Sequence, residues 1–139
     1  MRIHLGSTLM LALGLSWAVI GQSSSPMREG MWEVNSKLSF AGMGEGMPMK
    51  HQQCVTAAMI QDPQSAIPKM DNDCKVSNYK LAANVATYTL TCASPVEIVG
   101  NGEIRYAGPN AYTGTLILGA QGASYTLSYE AKRIGDCPK

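Results

Sequence analysis

The sequence predicts a single all-β domain, mainly antiparallel: a curved meander sheet or open barrel with one short helix and two disulfides. Three observations predict this fold class. Apolar and polar residues alternate in the segment that opens the domain, turn residues recur at short intervals beyond residue 74, and all four cysteines follow an apolar N-terminal run. Alternation with period two is typical of a half-buried strand, and short strands separated by turns are typical of an antiparallel meander.

Residues 1–21 have the features of a secretory signal peptide. A basic start at Arg2 precedes an uncharged apolar run, and polar sequence that begins at Gln22 ends this run. The run is shorter than the roughly 20 apolar residues that a membrane span needs, and Gly21 supplies a small residue at the cleavage site. We therefore expect residues 22–139 to form one soluble, periplasmic domain that keeps no membrane anchor.

The charge balance argues against two classes of partner. The chain has 11 basic and 10 acidic residues, and loss of Arg2 with the signal peptide leaves ten of each. A neutral domain has no bulk attraction for nucleic acid or for an anionic membrane. We expect recognition to depend on local contacts instead.

Two strands and a helix are predicted before the first long loop. The first strand covers Gly30–Phe40, where Trp32 and the other apolar residues occupy the even positions. Glycines in residues 41–46 predict a loop, and residues 47–54 return as the second strand. A short helix follows, with Thr56 as its N-cap, and ends near Pro63. Residues 64–72 are predicted to form a polar loop.

Six further short strands are predicted beyond this loop, separated by turn residues. They cover residues 74–81, 85–92, 96–99, 103–107, 111–118 and 124–134. The Gly-Asn-Gly sequence at residues 100–102 is one of the predicted turns. The exposed edge of the sheet is expected at the first strand, residues 31–40, or at the last, and a protein partner is expected to bind such an edge.

An even number of cysteines in an exported chain predicts two disulfides. Cys74 and Cys92 are equidistant from Ala83, the middle of a predicted turn. A simple hairpin places them opposite each other, and this pairing leaves Cys54 with Cys137.

Several short motifs occur in a particular order along the chain. They are Gly30-Met31-Trp32-Glu33, then Cys54-Val55-Thr56 after a Met/Pro-rich stretch, then Cys74, Cys92 and Arg133-Ile134-Gly135-Asp136-Cys137. In this order, which spans nearly all of residues 22–139, the chain resembles the exported bacterial family called domain of unknown function 3617. Ala57-Ala58 departs from the proline and acidic residue expected there. The resemblance implies export and a disulfide-bonded architecture, and it supplies no catalytic residue.

The sequence contains no recognisable enzyme motif. His51 is the sole histidine in residues 22–139, and no nucleophile elbow, phosphate loop or His-Glu-x-x-His occurs. His51 and Cys54 would begin a zinc site only if the cysteine were a free thiolate. Carboxylates that keep a hydrolase as a third hypothesis are Asp62, Asp71, Asp73, Glu97 and Glu103. Residues 71–73 lack the glycine and distant glutamate of a calcium loop. We expect no catalytic residue, no cofactor and no metal.

Met43, Met47, Met49 and His51 form a cluster of soft ligands within nine residues. Thioethers with an imidazole suit Cu(I), so a periplasmic copper-binding protein is the alternative function. The favoured interpretation is structural. If the first two strands pair around the glycine loop, Met47 lies opposite Phe40 and Met49 opposite Leu38, on the apolar face, and both methionines are core residues.

All six tyrosines lie beyond residue 78. They are Tyr79, Tyr88, Tyr106, Tyr112, Tyr125 and Tyr129. A concave sheet face lined by tyrosines can hold an apolar or glycan ligand, although tyrosine is also common in strands for structural reasons. The predicted function is therefore a non-enzymatic module that binds a protein or a small ligand through a sheet edge or face.

Overall fold

The structure, a computed structural model, describes residues 25–70, 73–93 and 96–139. The predicted signal peptide, residues 1–21, lies outside the described residues. The elements are β1 (Gly30–Phe40), β2 (Pro48–Val55), α1 (Ala57–Gln61), β3 (Cys74–Ala82), β4 (Val85–Cys92), β5 (Ile98–Tyr106), β6 (Ala111–Ala120) and β7 (Ala123–Gly135).

The seven strands form one antiparallel sheet in the order β2-β1-β7-β6-β5-β4-β3. Hairpins connect β3 through β7 in sequence, and β7 then pairs with β1 over most of its length. Within the described residues β2 and β3 each pair on one side only, so the sheet stays open. The predicted class, an antiparallel sheet with one short helix and two disulfides, is confirmed.

The prediction that the first or last strand forms the exposed edge is wrong. β1 pairs with both β2 and β7, and β7 pairs with both β1 and β6. The last strand returns to lie beside the first, which places both in the middle of the sheet. The edges of the sheet are β2 and β3.

The predicted turn at residues 100–102 is also wrong, because β5 runs through it without a break. Gly100 and Gly102 lie on the buried face of this strand. A β-carbon at Gly102 would overlap the ring of Tyr88, and one at Gly100 would meet the side chain of Leu118. These glycines leave room for large side chains on the adjacent strands. A glycine can therefore occur inside a strand to make space for a neighbour, and not only at a turn.

One face of the sheet, here called the core face, holds the hydrophobic core. Trp32, Ile104 and Leu116 are fully buried there. Met27, before β1, and Ile67, after α1, pack on this face from outside the sheet. The indole Nε1–H of Trp32 donates to the Arg28 carbonyl at 2.9 Å, which satisfies its single polar group inside the core.

The helix α1 begins as the sequence predicts. The Thr56 hydroxyl accepts a hydrogen bond from the Met59 N–H at 3.3 Å, the contact expected of an N-cap. With five residues it is a single turn, and among the described residues no helix is long and apolar enough to cross a membrane. The helix and the segment after it lie against the core face, where Met59 and Ile60 contact the core.

Disulfides join Cys54 to Cys137 and Cys74 to Cys92. These are the two pairs that the hairpin argument predicts. Cys74 and Cys92 lie directly opposite each other on β3 and β4. Cys54 lies on β2, so each edge strand of the sheet carries one disulfide.

Candidate functional site

A cavity of about 410 Å³ lies between the core face and the segment formed by residues 59–69. We call it the core-face cavity. The sheet contributes Val34, Ser36, Met49, His51, Gln53, Tyr112, Leu127 and Tyr129; the covering segment contributes Met59, Ser65, Ala66, Ile67, Pro68 and Lys69. The cavity thus brings two separate sequence features together, the methionine segment and the tyrosine face.

Side chains alternate between the two faces of β2, so every second side chain of this strand lies on the face that borders the cavity. Met49 pairs with Ser36 and His51 pairs with Val34, so both share the face of the buried Val34. The sequence predicts this face correctly but not the register, since it places Met49 opposite Leu38. Regular pairing ends at Lys37 and Pro48, which leaves Met47 in the connection between the strands.

The prediction that the methionines are core residues is wrong. Met43, Met47 and Met49 have exposed fractions of 79%, 84% and 52%. β2 is an edge strand, and Val55, at its end next to α1, is its single buried residue, with an exposed fraction of 1%. The rest of β2 is exposed or half-buried, so the thioethers of Met47 and Met49 are accessible.

The apolar surface continues from the cavity along β1 and β7. Leu38 pairs with Leu127, and Phe40 pairs with Tyr125 in the next row of the same face. The rings of Phe40 and Tyr125 meet edge-to-face with centroids 5.1 Å apart. Leu38, Leu127 and Tyr125 are half-buried and Phe40 is exposed. We call these four residues the apolar floor.

The polar side chains of the cavity lie on β1, on β2 and on the covering segment. Besides the two tyrosines they are Ser36, His51, Gln53, Ser65 and Lys69. Among the described residues that line the cavity there is no aspartate or glutamate, and Lys69 carries the single permanent charge. Lys69 is exposed, so its charge is accessible to water.

Four of the six tyrosines belong to the hydrophobic core. Tyr88, Tyr106, Tyr112 and Tyr129 are all buried. Tyr112 packs against Trp32 with ring centroids 5.5 Å apart, and Tyr129 meets Tyr112 edge-to-face at 6.3 Å. Burial raises the pKa of Tyr112 and of Tyr129, and both phenols stay neutral at physiological pH. Only these two buried tyrosines reach the wall of the cavity.

Of the carboxylates that could suggest a hydrolase, the four within the described residues, Asp62, Asp73, Glu97 and Glu103, do not line the cavity. Glu103 pairs with Arg105 at 2.6 Å, and Asp62 accepts a hydrogen bond from the Gln64 N–H at 2.9 Å. Asp71 lies outside the described residues. In the part of the chain that the structure describes, no three His, Cys, Asp or Glu side chains are grouped to hold a metal ion. Cys54 is oxidised, so it provides no thiolate for a zinc site with His51.

A larger groove of about 660 Å³ lies beside the β2-β1-β7-β6 part of the sheet. Its lining includes charges of both signs, among them Lys37, Lys50 and Glu130, and Lys50 forms an ion pair with Glu33 at 3.4 Å. No helix or loop segment covers this groove among its lining residues. The core-face cavity is the better candidate because it is covered and combines apolar walls with a few polar groups.

The two edges of the sheet differ in how well they could accept another strand. β3 contains a bulge after Ser77, with Asn78 at a φ of 52°, and carries Lys75 and Lys80. Bulges and lysines both discourage edge pairing. β2 carries Pro48 and Lys50, but it has no bulge and pairs regularly with β1 over all eight of its residues, so its free edge is the more suitable for an incoming strand.

Sequence reasoning missed the covering segment. Residues 64–72 read as a polar loop, yet Ala66 and Ile67 are buried against the core face. The sequence feature that could have revealed this segment is the apolar pair Ala66-Ile67 inside polar sequence. It predicts that the segment packs against the domain but not which surface it packs on. Lys69 and Gln53 therefore did not emerge as candidate residues.

Comparison with known proteins gives a family and no activity. The sequence model of the family described as "Protein of unknown function (DUF3617)" matches residues 27–137. No curated protein and no solved structure matches the chain. The matched range contains all seven strands and both disulfides.

Proposed function

Since the chain belongs to the DUF3617 family, whose description names no activity, we propose from the geometry that it is a non-enzymatic binding protein. It holds a small amphipathic molecule in the core-face cavity. The observation that carries the proposal is this covered cavity of about 410 Å³, whose mostly apolar wall also contains a few polar side chains.

The composition of the wall supports an amphipathic ligand. Val34, Met49 and Leu127 offer apolar contact, while Gln53 and His51 offer hydrogen bonds from the edge strand. Ligand cavities in proteins typically have volumes of about 300–1,000 Å³ and place a few polar groups in mostly apolar walls. The core-face cavity lies at the lower end of that range, which favours a small or slender ligand.

Two features support a binding role in the periplasm. His51 is the sole imidazole in residues 22–139, and the side-chain hydrogen bonds of the described residues include none between His51 and Ser36 or Ser65. Two disulfides are typical of exported proteins, and they accord with the signal-peptide pattern of residues 1–21.

The test uses the uncharged fluorescent amphiphile N-phenyl-1-naphthylamine with the chain purified as residues 22–139. We expect saturable binding with a rise in probe fluorescence. Ser36→Phe places a ring into the cavity and should abolish binding. Lys37→Phe is the matched control, because Lys37 points to the opposite face of β1 and its replacement should leave binding unchanged. Equal binding by both variants would refute the proposal.

Exposure of the thioethers supports a second candidate function, Cu(I) binding. Met49 and His51 lie two residues apart on one face of β2, and Met47 is 84% exposed next to them. Thioether and imidazole ligands suit Cu(I). Competition against bicinchoninate should then show one-to-one binding that is lost in Met49→Leu. Met70→Leu, at another exposed methionine, is the control, and absence of binding by the unaltered protein excludes this candidate.

A further inference from the structure

We infer that the ligand of the core-face cavity is a single-chain amphiphile with an anionic head group. Its head lies at Lys69 and His51, and its alkyl chain extends along the apolar floor. This inference rests on the proposed function, because it names the chemical class of the molecule that the same cavity binds.

The charge of the cavity wall identifies the head group. Lys69 is cationic, His51 can donate a hydrogen bond in either protonation state, and the Gln53 amide lies on the same face of β2. No carboxylate lines the cavity among the described residues, so nothing there repels an anion or attracts a cation. Because Lys69 is exposed, water screens its attraction, and the preference for an anion is modest.

The arrangement of the apolar floor identifies the tail. Between Val34 and Phe40, three core-face rows follow one another along β1, and the paired residues on β7 are Tyr129, Leu127 and Tyr125. At about 3.3 Å per residue this path is about 20 Å long. It is bordered on the β6 side by the buried Leu116 and Leu118, which pair with Leu127 and Tyr125.

The floor is also only partly covered. Leu38, Leu127 and Tyr125 are half-buried and Phe40 is 39% exposed, although all four belong to the face that elsewhere forms the core. A tail laid along this path would remove apolar surface from water, which stabilises the complex in proportion to the area covered. A long, narrow apolar strip that ends at a cationic group matches an alkyl chain with an anionic head better than it matches a compact ring system.

The head group is tested by displacement of N-phenyl-1-naphthylamine with decanoate, decanol and decylamine. Decanoate should displace the probe at a concentration three- to tenfold lower than decanol, and decylamine should be the weakest competitor. Lys69→Gln should remove the difference between decanoate and decanol. Lys132→Gln is the control, because Lys132 is exposed and does not line the cavity, and it should preserve that difference.

The tail is tested separately with hexanoate. Leu38→Ser should weaken decanoate and leave hexanoate unchanged, since a hexanoate tail with its head at His51 ends before Leu38. Equal affinities for decanoate, decanol and decylamine would overturn the anionic head while the proposed function stands. An unchanged decanoate affinity in Leu38→Ser would overturn the path of the tail. Failure of N-phenyl-1-naphthylamine itself to bind would instead refute the proposed function.

Discussion

The ring of Tyr129 lies directly over Gly114, its cross-strand partner on β6. The same relationship holds between Tyr88 and Gly102 on β4 and β5. The two phenol oxygens then come within 3.5 Å of each other in the core. Each glycine provides the space that its paired tyrosine fills, so the pair acts as one packing unit.

Gly114→Ala should therefore destabilise the fold. The added β-carbon would overlap the buried Tyr129 ring, which would have to leave its packed position over Gly114. We expect the free energy of unfolding to fall by about 1–3 kcal/mol, as for other overpacked cores. Urea denaturation measures the change.

The matched control for this prediction is Gly119→Ala on the same strand. A β-carbon at Gly119 meets only the Val99 carbonyl at 3.8 Å, an ordinary contact. Its effect should stay within about 0.5 kcal/mol. If Gly114→Ala were as mild as the control, Tyr129 would not lie on Gly114.

Replacing the exposed methionines should have little effect on stability. Met47 is 84% exposed, so Met47→Ala should change the free energy of unfolding by less than about 0.5 kcal/mol. Leu116 is fully buried, and Leu116→Ala should cost about 2–5 kcal/mol. Thermal or urea denaturation of the two variants side by side measures both changes. If Met47→Ala lowered the free energy of unfolding by about 2 kcal/mol or more, Met47 would be a core residue, as the sequence alone predicts.

Met49 and the sheet edges show which parts of the fold can be predicted from local sequence. Alternation assigns Met49 to the face of Val34 correctly, because the face of a strand depends only on its own residues. Burial depends on what covers that face, and the covering segment comes from residues 59–69, far along the chain from β1. Likewise no local pattern reveals that β7 pairs with β1, and for this reason the predicted edges were wrong.

The two disulfides should differ in their contribution to stability. They close sequence separations of 83 residues for Cys54–Cys137 and 18 residues for Cys74–Cys92. The chain-entropy model gives about 4.5 and about 3 kcal/mol respectively. Double replacement of each pair by alanine, followed by urea denaturation, should show the larger loss for Cys54–Cys137. The reverse order would mean that burial of Cys92, which is 2% exposed, outweighs loop closure.

Stability should decrease above about pH 10. Burial, with a contribution from the neighbouring Tyr106, raises the pKa of Tyr79 to about 12 from an ordinary value of 10.0. A raised pKa in the folded state means that the tyrosine stabilises the fold fully below pH 10, and that this stabilisation is lost as the pH rises towards 12. Burial also raises the pKa of Tyr88, Tyr112 and Tyr129, which steepens the decrease.

Urea denaturation at several pH values, with phenolate absorbance as a second signal, tests this dependence. Tyr79→Phe should make the decrease between pH 10 and 12 shallower. In the folded protein the buried tyrosines should ionise at higher pH than in the chain unfolded by urea. Identical tyrosine titrations of the folded and unfolded chain would contradict the burial of these rings.

The alignment of Cys74 with Cys92 depends on two compensating irregularities. The sequence argument assumes a turn centred on Ala83. In the structure the hairpin turn is Ala83-Asn84, between the paired Ala82 and Val85, which alone would set Cys74 one residue out of register. The bulge after Ser77 adds one residue to β3 and restores the alignment. The predicted disulfide was therefore right although the predicted turn was not.

Ala83→Gly tests this hairpin geometry. Ala83 has a φ of 54°, a left-handed conformation that costs an ordinary residue about 1–2 kcal/mol and glycine almost nothing. The greater freedom of glycine in the unfolded chain offsets about 0.4–1 kcal/mol of that gain. We expect Ala83→Gly to raise the free energy of unfolding by up to about 1 kcal/mol. Ala82→Gly, in the adjoining strand, should lower it by about 0.5–1 kcal/mol. If both variants lost stability equally, Ala83 would not occupy the left-handed conformation that this hairpin turn requires.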